Sequence, residues 1–327
     1  MIRTRLTERF GLEAPIVSAP MAMAAGGALA AAVTRAGGLG FIGGGYCDAD
    51  WIHAQMAEAG NEAVGCGFIT WKLTEAEAEA PGLFDAVLAR RPAAVFLSFG
   101  DCTEFAARAQ RAGVPVFAQV QTLADARAVV AAGADVVIAQ GSEAGGHGAA
   151  RGTISLVPEV VDAVGDQAIV LAAGGIADGR GLAAALMLGA EGVLMGTRFW
   201  ASAEALVPEG FHQAALVADG DGTVRTSLPD VARGLTWPAP YDIRTLKSDW
   251  TRKWQGVPGG PATPEARAAY AAGAASGDGA TAAGVAGEAV GLIRGIAPAA
   301  EILHDVVAQA ERVLVSPRGV ISGGAVG

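Results

Sequence analysis

The run Val136-Val137-Ile138-Ala139-Gln140-Gly141-Ser142-Glu143-Ala144-Gly145-Gly146-His147-Gly148 decides how the whole chain is read. Its β-branched opening predicts a short buried strand. The loop that follows holds four glycines, one carboxylate and one imidazole. Glycines at this density let backbone approach a ligand, or turn through positive φ, where a Cβ would clash. His147 has little side-chain packing among them, so it faces whatever the glycines make room for; a solvated histidine on a surface loop is the alternative. Two further strand-then-glycine ends tip the balance: Leu171-Ala172-Ala173-Gly174-Gly175-Ile176 and Val193-Leu194-Met195-Gly196-Thr197-Arg198-Phe199. Three such ends in succession read as one site assembled along a single edge of a sheet.

Upstream and downstream of that stretch, apolar runs alternate with Ala-rich helical ones. Strands are expected at 16–19, 39–42, 64–69, 94–98, 114–120, 136–139, 169–172 and 192–195. Helices are expected at 29–36, 50–59, 84–90, 103–112, 122–132, 158–164 and 178–188, with Thr103 and Thr122 as caps. Eight strands with crossovers of parallel-sheet length describe an α/β chain folded as a (β/α)8 TIM barrel. A doubly wound open sheet is the runner-up, but Gly43-Gly44-Gly45 lacks the G-x-G-x-x-G spacing of a dinucleotide fold.

The barrel is assigned to residues 1–200. From 201 to 261 the pattern loosens into an irregular excursion carrying Trp237, Trp250 and Trp254. Aromatics at that density need a surface to pack on, so the segment is read as lying over the barrel mouth or forming a homodimer contact. Residues 262–327 form a helical tail, whose last helix from Ala299 to Val315 carries an apolar face and closes the barrel as its eighth helix.

Composition narrows the partners. The 327 residues are 52% hydrophobic with a net charge of −10 and no basic run, which argues against nucleic acid. Gly and charges interrupt every apolar stretch before about eighteen residues, so no membrane-spanning helix is expected. The N-terminus lacks the apolar region of a signal peptide, and Cys47, Cys66 and Cys102 form no pairing or zinc pattern. A cytoplasmic protein with reduced thiols is the expectation.

In such a barrel the loops after the seventh and eighth strands commonly build a phosphate site from backbone amides. Ala173-Gly174-Gly175-Ile176 and Met195-Gly196-Thr197 fall at those places, with Thr197 adding a hydroxyl. The other strand ends contribute Pro20, Met21, Ala22, Gly67, Gln119 and His147. That lining is small and apolar with a few amides, which suits a flat heterocycle attached to a phosphate; flavin mononucleotide (FMN) fits. His53, His147, His212 and His304 are far apart, and Glu143 with His147 lacks a third ligand, so no metal is expected. His147 is the acid/base candidate: an imidazole with a pKa near ~6.5 can take a proton from a carbon beside an activating group, or hydrogen-bond an anion.

The segments Gly141 to Gly148, Ala173-Gly174-Gly175-Ile176-Ala177-Asp178-Gly179 and Met195-Gly196-Thr197-Arg198-Phe199 resemble the nitronate monooxygenase family. Ala19-Pro20-Met21 and Phe117-Ala118-Gln119-Val120 are similar to it as well. The resemblance implies an FMN-containing barrel that oxidises alkyl nitronates, or nitroalkanes, with O2 to a carbonyl compound and nitrite. It implies His147 as catalytic residue, and Pro20, Met21, Ala22, Gln119, Gly146, Ala173, Gly174, Gly175, Ile176, Met195, Gly196 and Thr197 as FMN contacts. FMN-dependent enoyl-acyl-carrier-protein reductases and NADH:quinone reductases are similar over the same glycine segments, so a reductase is the alternative. A flavin-binding barrel without turnover is a third reading, against which the imidazole argues.

Overall fold

The structure, a computed structural model, describes residues 2–315; the part of the expected tail at 316–327 lies outside the described residues. Eight parallel strands form the central sheet: β1 (Ile16–Ser18), β2 (Phe41–Gly45), β3 (Gly65–Ile69), β4 (Val95–Ser98), β5 (Val116–Val120), β6 (Val136–Gln140), β8 (Ile169–Ala173) and β9 (Val193–Met195). Between β6 and β8 in the chain, β7 (Gly146–Gly148) is a short strand outside this sheet. The order β1-β9-β8-β6-β5-β4-β3-β2 is closed by a parallel bridge from Val17 to Leu39, making the expected (β/α)8 barrel.

Strand alternation sorts the side chains into two cores. Val17, Phe41, Phe96, Phe117, Ile138, Leu171 and Leu194 point inward. The rings of Phe41, Phe96 and Phe117 meet edge-on or tilted at centroid distances of 5.2 and 5.5 Å. Leu6 and Phe10 of the helix Arg5–Phe10 plug the barrel's N-terminal end. Ile16, Cys66, Phe68, Leu97, Val137, Val170 and Met195 point outward beneath the helices. The helix Ala299–Val315 packs against Gly179–Met187 and Gly27–Arg35, and so fills the eighth place in the ring.

Local chemistry explains several boundaries. Thr122 accepts from the Asp125 amide, and Asp178 accepts from those of Arg180 and Gly181, each capping a helix. Thr103 does not cap its helix as expected. Cys102 is the N-cap, while Asp101 accepts from both the amide and the hydroxyl of Thr103. The helix expected from Pro158 begins at Thr153, with the proline inside it. A helix at Thr70–Glu79, after β3, went unanticipated.

Between β9 and the last helix the chain builds a cap over the barrel's C-terminal mouth. Rather than being irregular, it carries the helices Glu209–Val217, Leu228–Arg233, Asp249–Trp254 and Pro264–Ser276, with strands β10 (Thr223–Thr226) and β11 (Asp242–Leu246). These strands form an antiparallel sheet with β7, so the glycine-rich loop after β6 is itself a strand of the cap. Trp200, Phe211, Leu246, Trp250, Tyr270 and Val290 supply the cap's own core. No helix among the described residues is long and apolar enough to cross a membrane.

Candidate active site

A cavity of about 390 Å³ lies where the barrel strands end and the cap begins. Pro20, Met21 and Ala22 enter it from the loop after β1, and Gln119 from the end of β5. Gly146 and His147 come from β7, Ala173, Gly174, Gly175 and Ile176 from the turn after β8, and Gly196 and Thr197 from the turn after β9. Met195 is not among the residues that line the cavity. It follows inward-facing Leu194 on β9, so alternation sends its side chain into the outer core, where it is fully buried. Gly67 lets the β1 loop sit so deep: a Cβ there would lie 2.3 Å from that of Pro20.

At one end of the cavity, backbone amides stand free. Those of Gly174, Gly175 and Gly196 make no hydrogen bond to another described residue. Gly174 holds φ +99°, and a Cβ on it would lie 2.9 Å from the Gly141 carbonyl oxygen, so this turn requires glycine. The Thr197 hydroxyl accepts from the Gly287 amide at 2.9 Å, which leaves its hydrogen free to donate to a ligand. Glu143, the carboxylate nearest this end, is occupied: it accepts from the Thr153 amide at 3.0 Å and lies 2.9 Å from the Thr153 hydroxyl. Glu143 and His147 therefore do not converge on a common point. Along the wall, the side-chain carbonyl of Gln140 accepts from the amides of Gln119 (3.1 Å) and Gln121 (2.8 Å).

His147 is built into the wall of the same cavity. Its ring is buried, and its β7 position pairs with Ile243 of β11. Nε2 lies 2.9 Å from Oδ2 of Asp230, on the cap helix Leu228–Arg233. The other oxygen of that carboxylate accepts from Arg233 at 2.5 Å. Trp237 stacks on the imidazole, centroids 3.4 Å apart and planes 9° from parallel, while Phe99 meets it edge-on at 6.3 Å. Trp237 in turn donates from Nε1 to the Tyr46 hydroxyl at 3.2 Å. Burial under this aromatic roof depresses the His147 pKa; the hydrogen bond and charge of Asp230 oppose the shift without reversing it, and Arg233 and Arg225 add to it. The shift favours the neutral ring. Nδ1 has no protein partner among the described residues and is not among the sealed polar atoms, so it is the nitrogen left to a ligand.

Arg225 holds this loop in shape. Its guanidinium donates to the carbonyls of Gly148, Asp242, Ser142 and Ala144. Of the other histidines, His212 is buried against the Trp200 carbonyl at 3.0 Å, whereas His53 and His304 lie on helices away from the cavity. Trp237 is the one tryptophan of the cap segment 201–261 that lines the site; Trp250 and Trp254 pack in the cap's core. Sequence reasoning missed Asp230, Arg233, Tyr46 and Phe99. Asp230 stands 83 residues from its partner and belongs to no local motif.

The sequence matches the family described as nitronate monooxygenase over residues 3–64 and 71–309. It is 38% identical to the nitronate monooxygenase npaC of Metarhizium robertsii, across 92% of each chain. It is 34% identical to the nitronate monooxygenase of Neurospora crassa, across 90% of this chain and 89% of that one. Among solved structures it resembles FabK from Thermotoga maritima (33% identity, TM-score 0.86, covering 98% of this chain and 100% of that one). It also resembles a nitroalkane oxidase from Streptomyces ansochromogenes (28% identity, TM-score 0.79, covering 96% and 99%).

Proposed function

This chain belongs to the nitronate monooxygenase family, and from that premise we propose that it binds FMN and oxidises alkyl nitronates with O2 to a carbonyl compound and nitrite. The observation that carries the reading is the pairing of a free amide turn at Gly174-Gly175 with a buried imidazole in the lining of the same apolar cavity. The residues fit the cofactor. The amides of Gly174, Gly175 and Gly196 and the hydroxyl of Thr197 would hold the phosphate without a cation, as strand-end turns in barrels do. Pro20, Met21, Ala22, Gln119, Gly146, Ala173 and Ile176 would border the ring system. The chemistry that FMN supplies when bound is electron transfer between the nitronate and O2.

The chain's own residues set the conditions. The aromatic roof and the cap exclude water, which strengthens every polar contact inside. Arg233, the cation on the lining, is engaged by Asp230, so the described residues offer a substrate tail in this cavity no free positive charge. That favours an alkyl substituent over a charged one. His147 lines the cavity beside Trp237, where its open nitrogen can hold or release a proton.

An anaerobic experiment tests the proposal. Purified yellow protein is mixed with ethylnitronate or with NADH, and the flavin absorbance is followed. Bleaching by the nitronate, with nitrite formed on admitting air, is the expected result. Indifference to nitronates, with rapid bleaching by NADH and turnover of an enoyl thioester or quinone, refutes it in favour of a reductase.

A further inference from the structure

We propose that Asp230 is a positioning residue that fixes the tautomer of His147, holding the proton on Nε2 and turning the Nδ1 lone pair toward the substrate. The inference rests on the nitronate reading for the fate of the product, but the geometry behind it is independent of that reading.

A carboxylate only accepts hydrogen bonds, so the 2.9 Å contact places the imidazole proton on Nε2. Nδ1 then carries a lone pair and has no protein partner among the described residues. Asp230 is itself firmly held, being 3% exposed with both of its oxygens engaged, one by His147 and one by Arg233. Pro229 stands in the first turn of its helix, so the backbone that aims the carboxylate is restrained too. The ring cannot tip away, because Trp237 covers one face and β11 holds the strand.

A neutral imidazole with its lone pair toward the substrate is set to accept a proton from an acidic C–H. In the step proposed, the α-carbon to hydrogen bond of the nitroalkane breaks and an Nδ1–H bond forms. The bonding pair moves into the nitro group, leaving a nitronate anion beside an imidazolium. No oxidant is consumed. The imidazolium is then held by Asp230 through Nε2–H, while its new Nδ1–H faces the anion. The charged groups around the ring are Asp230 and Arg233 on the cap helix and Arg225 on β10. Both arginines already serve other acceptors, the Asp230 carboxylate and the loop carbonyls, so the new positive charge is held by the hydrogen bond to Asp230 and balanced by the nitronate formed beside it.

The test uses the full-length chain with ¹⁵N-labelled histidine, His147 being assigned by its loss in His147→Asn. In the wild type, Nε2 should give a protonated, pyrrole-like shift and Nδ1 a bare, pyridine-like one. In Asp230→Asn that assignment should be lost and the ring should titrate at lower pH, since the carboxylate raises its pKa. In kinetics, Asp230→Asn should lose about 10²-fold or more in kcat/KM for nitroethane, the lower end of what a general base contributes. Its kcat/KM for preformed ethylnitronate should stay within about threefold, and Asp230→Glu should restore part of the nitroethane rate. A wild-type ring protonated on Nδ1 overturns the proposal. So does an Asp230→Asn variant that keeps the wild-type tautomer, or that loses both substrates equally. If neither substrate is oxidised by the wild type, the nitronate reading fails, while the ¹⁵N shifts still decide the tautomer.

Discussion

Gly174→Ala is the sharpest probe of the phosphate site proposed at the turn after β8. At φ +99° an alanine costs about 1–3 kcal/mol of backbone strain. Its Cβ would also sit 2.9 Å from the Gly141 carbonyl oxygen, 3.1 Å from the Thr153 hydroxyl and 3.2 Å from the Ala144 amide. The turn after β8 must therefore move off the loop after β6, carrying its free amides with it. Against a total stability of roughly 5–15 kcal/mol the protein should still fold. A hydrogen bond to a charged group contributes about 1.5–3 kcal/mol, so misaiming one phosphate donor should weaken FMN binding by about 10- to 150-fold. The assay is quenching of flavin fluorescence on titration of FMN with apoprotein, alongside thermal unfolding. Gly113→Ala is the control, because Gly113 has φ +71° with nothing within 4 Å of a Cβ, so it isolates strain from contact. A Gly174→Ala protein that folds and binds FMN like the wild type refutes the assignment of this turn to the phosphate. Equal losses of affinity in both variants refute it as well.

Trp237→Ala should raise the His147 pKa toward the ordinary imidazole range, because burial is the largest cause of its depression. Losing the stack should cost about 0.5–1.5 kcal/mol beyond the area uncovered; an NMR titration and a denaturation curve check the two parts. The depressed pKa also sets a pH dependence. Below about pH 6.5 the unfolded chain protonates His147 before the folded one does, so stability from this group is present above that pH and declines as pH falls toward the folded value. Urea midpoints from pH 7.5 to 5.5 should accordingly fall more steeply for the wild type than for His147→Asn.

The barrel was legible in the sequence because parallel strands are buried on both faces. Val136-Val137-Ile138-Ala139 and Ile169-Val170-Leu171-Ala172 read as unbroken apolar runs, and glycines mark their ends. Helix starts were legible where a side chain does the capping, as at Thr122 and Asp178, and misread at Thr103, where the hydroxyl donates to Asp101 instead. The cavity's glycines and His147 could be named because chain order around a barrel brings successive strand ends to one rim. Motif membership said nothing of direction, and alternation turns the Met195 side chain into the outer core. The cap lay beyond local reading. Gly146-His147-Gly148 has no strand propensity and becomes β7 only because β11 pairs with it. The partner of His147 arrives from a helix 83 residues away. Which nitrogen of His147 is bound, and which ring covers it, are contacts between distant segments. Sequence pointed to an imidazole among the strand ends at a barrel's mouth; only tertiary packing, which alone joins segments with no shared local signal, decided what surrounds that imidazole.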